Sequence, residues 1–224
     1  MRAAAERGAS ISGAKAETLE LIASDLRGQL RAGTESNLIV FLVDASGSMA
    51  ARDRLSAVTG AVSSLLRDAY QRRDKVAVIA FRGNHAEVVV PATRSIDIAV
   101  RRLAQVRTGG RTPLAAGLHK AGELIAREAK KEPRRRAILV LLSDGRATGA
   151  QGLAQAQAAA QKLRQRELSG AIVIDCERSR ISLGLAADLA RDLGAQCINL
   201  SDLSAEAVAG VVRAYHQGYV SRKA

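Results

Sequence analysis

Two stretches of the chain are apolar without interruption, and each ends abruptly in small polar residues. Leu38-Ile39-Val40-Phe41-Leu42-Val43 runs into Asp44-Ala45-Ser46-Gly47-Ser48-Met49, and Ala137-Ile138-Leu139-Val140-Leu141-Leu142 runs into Ser143-Asp144-Gly145. Six consecutive apolar positions rich in β-branched types predict a strand covered on both faces, the signature of a parallel sheet rather than of a half-exposed one. Lys75 to Phe81 predicts another such strand. Ala86 to Val90 follows after the turn chemistry of Arg82-Gly83-Asn84-His85 and is stopped by Pro91. So short a connection excludes a parallel crossover, so this third strand is expected antiparallel to the second, at the sheet edge.

Between and after these strands the apolar spacing is helical. Leu19, Ile22, Leu26 and Leu30 mark an amphipathic helix over residues 14–31, and Leu55, Val58, Val62, Leu65, Leu66 and Ala69 mark one over 53–71. Ile96, Val100 and Leu103 predict a short helix; Leu114, Leu118, Ala121 and Ile125 a longer one. Helices around 152–168 and 184–193 flank a strand at 171–175, and a short strand at 197–200 precedes a closing helix striped by Val208, Val211, Val212 and Tyr215. The alternation predicts an α/β fold: a doubly wound, mostly parallel six-stranded sheet with one antiparallel edge strand. The expected organisation is an N-terminal extension over 1–36 whose first 13 or so residues are linker-like, a domain over 37–218 and a tail over 219–224.

Ligands of such sheets sit beyond the carboxyl ends of the strands, where the strand order reverses. With the first strand central, Asp44 and Asp144 leave neighbouring strands on either side of that point. The loop Thr108-Gly109-Gly110-Arg111-Thr112-Pro113 is expected over the same crevice. Asp-x-Ser-x-Ser supplies one carboxylate and two hydroxyls within five residues, all oxygen donors, with Gly47 allowing a tight turn. Such a set suits a hard cation such as Mg²⁺ or Mn²⁺ that keeps some of its waters. Each element has a plainer reading. Asp44, Ser46 and Ser48 could cap the next helix, Thr112 before Pro113 could be an N-cap, and Ser143-Asp144-Gly145 could be an ordinary strand-to-helix turn.

Asp44-x-Ser46-x-Ser48, Thr112 in Gly-Gly-x-Thr-Pro and Asp144 in Ser-Asp-Gly resemble the metal-ion-dependent adhesion site of von Willebrand factor type A domains. The longer strings Asp-Ala-Ser-Gly-Ser-Met-Ala-Ala-Arg, Arg-Arg-Asp-Lys-Val, Arg-Thr-Gly-Gly-Arg-Thr-Pro-Leu and Leu-Ser-Asp-Gly-Arg-Ala-Thr resemble, more narrowly, the C-terminal domain of the D subunit of magnesium chelatase, over about residues 17–215. The resemblance implies that Ser46, Ser48 and Thr112 bind the ion through hydroxyls, and Asp44 and Asp144 directly or through water. A cation held mainly by neutral donors keeps much of its charge and attracts a further anion, so a partner's carboxylate can complete the shell. Arg111 and Arg146 flank the expected ion, where they could recognise a partner's carboxylate or phosphate or simply be solvated.

The implied role is a divalent-metal-dependent interaction module of a magnesium or cobalt chelatase. It would dock the AAA+ ATPase subunit, the porphyrin-binding subunit or both, for metal insertion into a tetrapyrrole. The ATPase-like domain and acidic, proline-rich linker of that subunit family have no counterpart in this sequence, so the chain is expected to be a fragment, a split subunit or a free-standing relative. An adaptor for another AAA+ ATPase is the alternative within the fold.

Composition narrows the choices. The formal charge is +12 over 224 residues, with Lys and Arg scattered and densest at 130–136. That charge makes an acidic partner expected and keeps a basic nucleic-acid-binding protein as the alternative from another class. At 2% aromatic with no Trp, however, the chain offers almost nothing on which bases could stack. No Gly-x4-Gly-Lys-Ser/Thr and no Gly-x-Ser-x-Gly occurs, so neither a P-loop nucleotide site nor a hydrolase elbow is expected. The three histidines, His85, His119 and His216, read as surface or packing residues. Cys176 and Cys197 are too few and too far apart for a zinc or disulfide framework, and are expected to be buried and reduced. No apolar run approaches the roughly 20 residues that span a bilayer, and the N-terminus lacks a signal-peptide core, so a cytoplasmic protein is expected.

Overall fold

Every residue of Leu38–Asp44, the strand β1, is buried, as an unbroken apolar run requires when both faces of a sheet are covered. In the computed structural model the described residues are 36–47, 60, 63, 66, 67, 69, 71, 73–165, 168–177 and 183–200. The chain divides into two compact units, 1–34 and 35–224, and all of the described residues belong to the second. The helix expected over 14–31 and the closing helix after residue 200 lie outside them. Of the helix expected over 53–71, the described positions Gly60, Ser63, Leu66, Arg67, Ala69 and Gln71 are helical.

The further elements are β2 (Lys75–Arg82), β3 (His85–Thr93), α1 (Ile96–Ala104), α2 (Leu114–Lys131), β4 (Ala137–Ser143), α3 (Gly152–Arg164), β5 (Leu168–Asp175), α4 (Leu185–Leu193) and β6 (Gln196–Asn199). They form one sheet in the order β3-β2-β1-β4-β5-β6. β1 pairs in parallel with β2 and β4, β4 with β5, and β5 with β6, while β3 alone runs antiparallel. The chain therefore leaves β1 toward one half of the sheet and crosses back to β4 on the other side. The switch point falls between the carboxyl ends of β1 and β4, where ligands of this architecture bind.

Alternate residues of the central strands feed two cores. Leu38, Val40, Leu42, Ile79 and Phe81 pack with Leu114, Leu118 and Ala121 of α2 on one face. Ile39, Phe41, Val43, Val78 and Val140 pack with Leu66, Ala99 and Leu103 on the other. Each fully buried Leu, Ile, Val or Phe among them contributes on the order of 1.5–3 kcal/mol by leaving water. α2 approaches the sheet closely at Gly117, where a Cβ would stand 2.8 Å from Cδ1 of Phe81. At the opposite end of the strands Lys75 Nζ meets Glu132 at 2.6 Å, tying the start of β2 to the end of α2.

Several boundaries differ from the sequence reading. β3 does not stop at Pro91 but continues to Thr93. The missing N–H is tolerated there because β3 is an edge strand and its register with β2 shifts on either side of Val78, so Pro91 falls at a bulge. α3 ends at Arg164 and β5 begins at Leu168, so the helix is shorter than expected and the strand starts three residues earlier, taking Leu168 from the expected helix end. Cys176 is buried as expected, whereas Cys197 is exposed on the short outer strand β6. His85 and His119 are both exposed.

Candidate metal centre

Three loops at the carboxyl edge carry the expected donors, and a ring of hydrogen bonds ties them together. After β1, the Gly47 amide donates to the Gly110 carbonyl and the Gly109 amide donates to Ala45, both at 2.9 Å. The second loop is joined to the third through Thr112, whose amide donates to Thr148 Oγ1 at 2.9 Å and whose carbonyl accepts from the Thr148 amide at 3.1 Å. Ser143 Oγ closes the ring by donating to Asp44 Oδ2 at 2.9 Å. The two glycines make the middle loop possible. Both have positive φ, 132° at Gly109 and 83° at Gly110, and a Cβ on Gly110 would stand 3.2 Å from the Gly83 Cα.

Within this ring Asp44, Ser46, Thr112 and Asp144 are all buried. Ser48 lies outside the described residues. Asp44 Oδ1 accepts from the Ser46 amide at 2.9 Å, and the Ser46 hydroxyl also bonds this carboxylate. Asp144 Oδ1 accepts from the Arg146 amide at 3.1 Å. Thr112 does not cap α2: Pro113 occupies the N-cap position, and no side chain bonds the first helical amides. Its hydroxyl is therefore not committed to the helix end, which removes the plainer reading of that residue.

The electrostatics are those of a site short of positive charge. Burial pushes the Asp44 carboxyl up to about 6, against hydrogen bonds from Ser46 and Ser143 that favour its ionised form; nearby Asp144 pushes it further up. Asp175, at the end of β5 beside Ser143, is also pushed up, first by burial and then by Glu177 and Asp144. Arg146 supplies partial compensation. Its half-exposed guanidinium stands 3.6 Å from Asp144 Oδ2 and 3.7 Å from Glu177 Oε1. Arg111 is exposed, and its carbonyl accepts from the Gly83 amide.

Among the described residues no three His, Cys, Asp or Glu side chains group as metal ligands, so any cation here depends on hydroxyl donors. The donor set fits one. Two buried carboxylates, of which Asp144 raises the proton affinity of Asp44, together with hydroxyls from two further positions, are all hard oxygen ligands, and a divalent cation would relieve the repulsion.

Asp175 and Glu177 were not among the residues expected at the site. The signal was present, since Ala171-Ile172-Val173-Ile174-Asp175 repeats the design of an apolar run ending in a carboxylate already seen at Asp44 and Asp144. Gly145 fixes how this side of the edge is built. Its φ is 75°, and a Cβ there would lie 2.4 Å from the Ala186 nitrogen, so the loop after β4 sits directly on the start of α4.

A family model for the von Willebrand factor type A domain matches residues 39–147, a span that contains Asp44, Thr112 and Asp144. The uncharacterized protein Rv2850c of Mycobacterium tuberculosis is 54% identical over 190 residues, 84% of this chain and 30% of that protein. The magnesium-chelatase 60 kDa subunit of Cereibacter sphaeroides is 42% identical over 201 residues, 85% of this chain and 35% of the subunit. The chain thus spans about a third of the length of these curated relatives. Among solved structures, the hypothetical protein BatB of Bacteroides thetaiotaomicron superposes with a TM-score of 0.64 at 19% identity, over 81% of this chain and all of that one, a likeness of fold alone. The sheet order, the helices on both faces and these sequence matches lead to one conclusion: the chain belongs to the von Willebrand factor type A domain family and is related to magnesium-chelatase subunits.

Proposed function

We propose that this chain is a divalent-cation-dependent protein-interaction module of a chelatase-type assembly. Asp44, Ser46, Ser48, Thr112 and Asp144 hold Mg²⁺ or Mn²⁺ at the carboxyl edge of the sheet, and a carboxylate of the partner completes the shell. The observation that carries this reading is the hydrogen-bonded ring joining the loops of Asp44, Thr112 and Asp144, with all three side chains buried around the switch point. Such a ring fixes the donors before any ligand arrives, so little ordering cost falls on binding. Hydroxyls and water leave the ion's charge poorly neutralised, which makes an acidic side chain on the partner the natural last ligand.

The relation to magnesium-chelatase subunits supports an AAA+ ATPase subunit of such an enzyme as the partner, with the porphyrin-binding subunit as a second. The same edge would equally serve an adaptor for a different AAA+ ATPase, a reading favoured by the 54% identity to a relative whose name carries no chelatase activity. Neither reading gives the chain a catalytic residue of its own.

Capture of a purified chelatase ATPase subunit by the immobilised chain, with Mg²⁺ and with EDTA, tests the proposal. Expected is capture in Mg²⁺ that is lost in EDTA and lost in Asp44→Ala. Capture indifferent to EDTA rejects the cation-dependent mode, and no capture with Mn²⁺ or Mg²⁺ bound rejects the chelatase partner in favour of the adaptor.

A further inference from the structure

A second feature of the same edge lies outside the ring. Arg82 at the end of β2, Arg102 on α1 and Arg107 just before the glycine loop line a groove of about 390 Å³ between β3 and the end of α1, with Glu87 and Gln105 in its walls. Among the described residues, none of the three guanidiniums is in an ion pair, and neither is Glu87. Arg102 spends one N–H on the Val89 carbonyl of the edge strand at 3.2 Å, which holds the side chain across the groove with its other donors open. Three positive groups against one negative group, all facing a single concavity, call for an anionic occupant.

Along the chain, two of the groove's arginines border the loops of the candidate metal centre. Arg82 precedes Gly83, whose amide donates to the Arg111 carbonyl, and Arg107 is two residues from Gly109, whose amide donates to Ala45. We infer that this arginine groove binds an extended Asp/Glu-rich segment of the partner protein and leads one of its carboxylates to the metal edge. The inference rests on the cation reading for its last contact, but the groove contacts stand independently of it.

The chemistry favours an acidic peptide over a nucleic acid. Valines 88, 89 and 106 supply the apolar part of the lining, and no aromatic side chain is present for bases to stack on. Guanidiniums offer the paired donors that carboxylates accept two at a time, and Glu87 leaves room for spaced charges rather than for an unbroken row of phosphates.

The test uses the full chain and a fluorescent peptide of alternating glutamate and serine, read by anisotropy in Mg²⁺ and in EDTA. The variant is Arg82→Glu/Arg107→Glu, and the control is Arg127→Glu/Lys130→Glu on α2, which changes net charge equally far from the groove. Expected is about a tenfold loss of affinity in the groove variant in both buffers, with the control changed by less than about twofold. Matching losses in variant and control overturn the groove in favour of diffuse charge. Binding that follows Mg²⁺ but ignores Arg82 and Arg107 overturns the groove and leaves the cation reading standing. A groove-dependent loss with no response to EDTA keeps the groove and removes the last contact. If a single-stranded oligonucleotide of equal charge binds more tightly than the peptide with the same arginine dependence, the acidic-peptide assignment is overturned. Thermal melting checks the fold of each variant, and Arg82→Gln/Arg107→Gln serves should the charge reversal not fold.

Discussion

Ser143 Oγ donates to Asp44 Oδ2 at 2.9 Å and also accepts the Gly145 amide at 3.1 Å, so one buried hydroxyl joins the ends of β1 and β4 across the switch point. Ser143→Ala leaves a buried carboxylate oxygen and a buried amide short of a partner. The expected cost is about 1–3 kcal/mol, measured by urea unfolding in EDTA. An unchanged unfolding midpoint would show that this hydroxyl does not hold the edge together.

Asp44 gives the cation-free chain a pH dependence of definite sign. Its carboxyl moves from an ordinary 3.8 to about 6 on folding, chiefly by burial. The folded state therefore binds its proton more tightly than the unfolded state does. The associated stability is fully present below about pH 4, is lost as pH rises through 6, and then levels off. At this carboxylate the loss is on the order of 2–3 kcal/mol. Denaturation in EDTA at pH 4.5 and pH 7.5 reads it, and the difference should shrink in Asp44→Asn. If the proposed cation site is correct, Mg²⁺ or Mn²⁺ affinity rises over the same window with release of a proton, seen by calorimetry in buffers of different ionisation heat.

Thr112→Val keeps the size of the side chain and removes its hydroxyl. Because Thr112 does not cap α2, the thermal midpoint should hardly move, while Mn²⁺ affinity drops by about tenfold or more. A titration unaltered by the substitution removes Thr112 from the ligand set. A large fall in melting temperature would assign the hydroxyl to the fold instead.

Gly145→Ala should damage the other side of the edge. The residue has φ 75°, and its Cβ would meet the backbone of Leu185 and Ala186 at 2.4–2.8 Å, where no side-chain rotation can relieve the clash. A loss above about 3 kcal/mol is expected, with faster hydrogen exchange at the first amides of α4. Wild-type exchange there would mean that α4 does not depend on this close approach.

Much of the fold could be read from the chain because the strands that matter most are covered on both faces. Six-residue apolar runs rich in β-branched types and bounded by small polar residues, as at Leu38 to Val43 and Ala137 to Leu142, favour buried strands over helices, and so short a turn after Arg82 admits only an antiparallel partner. Half-exposed elements were less legible. Pro91 reads as a stop because proline lacks a ladder donor, yet at a bulged edge that donor is not needed. Leu168 reads as the end of a helix, and the strand reads as starting only at 171, because local pattern cannot register that a neighbouring strand waits to pair with residues 168–170.

Local order alone thus determined the strand types, the antiparallel edge and the three loops bearing Asp44, Thr112 and Asp144, since these follow from which side chains must leave water and which turns the backbone permits. Only the tertiary structure decided that Ser143 bonds Asp44 across 99 positions of chain, that Asp175 and Glu177 join the same edge, and that Arg82, Arg102 and Arg107 face one groove. Those relationships depend on strand order and on the angle at which helices seat against the sheet. They are set by packing between segments far apart in the chain, and no spacing within a single segment encodes them.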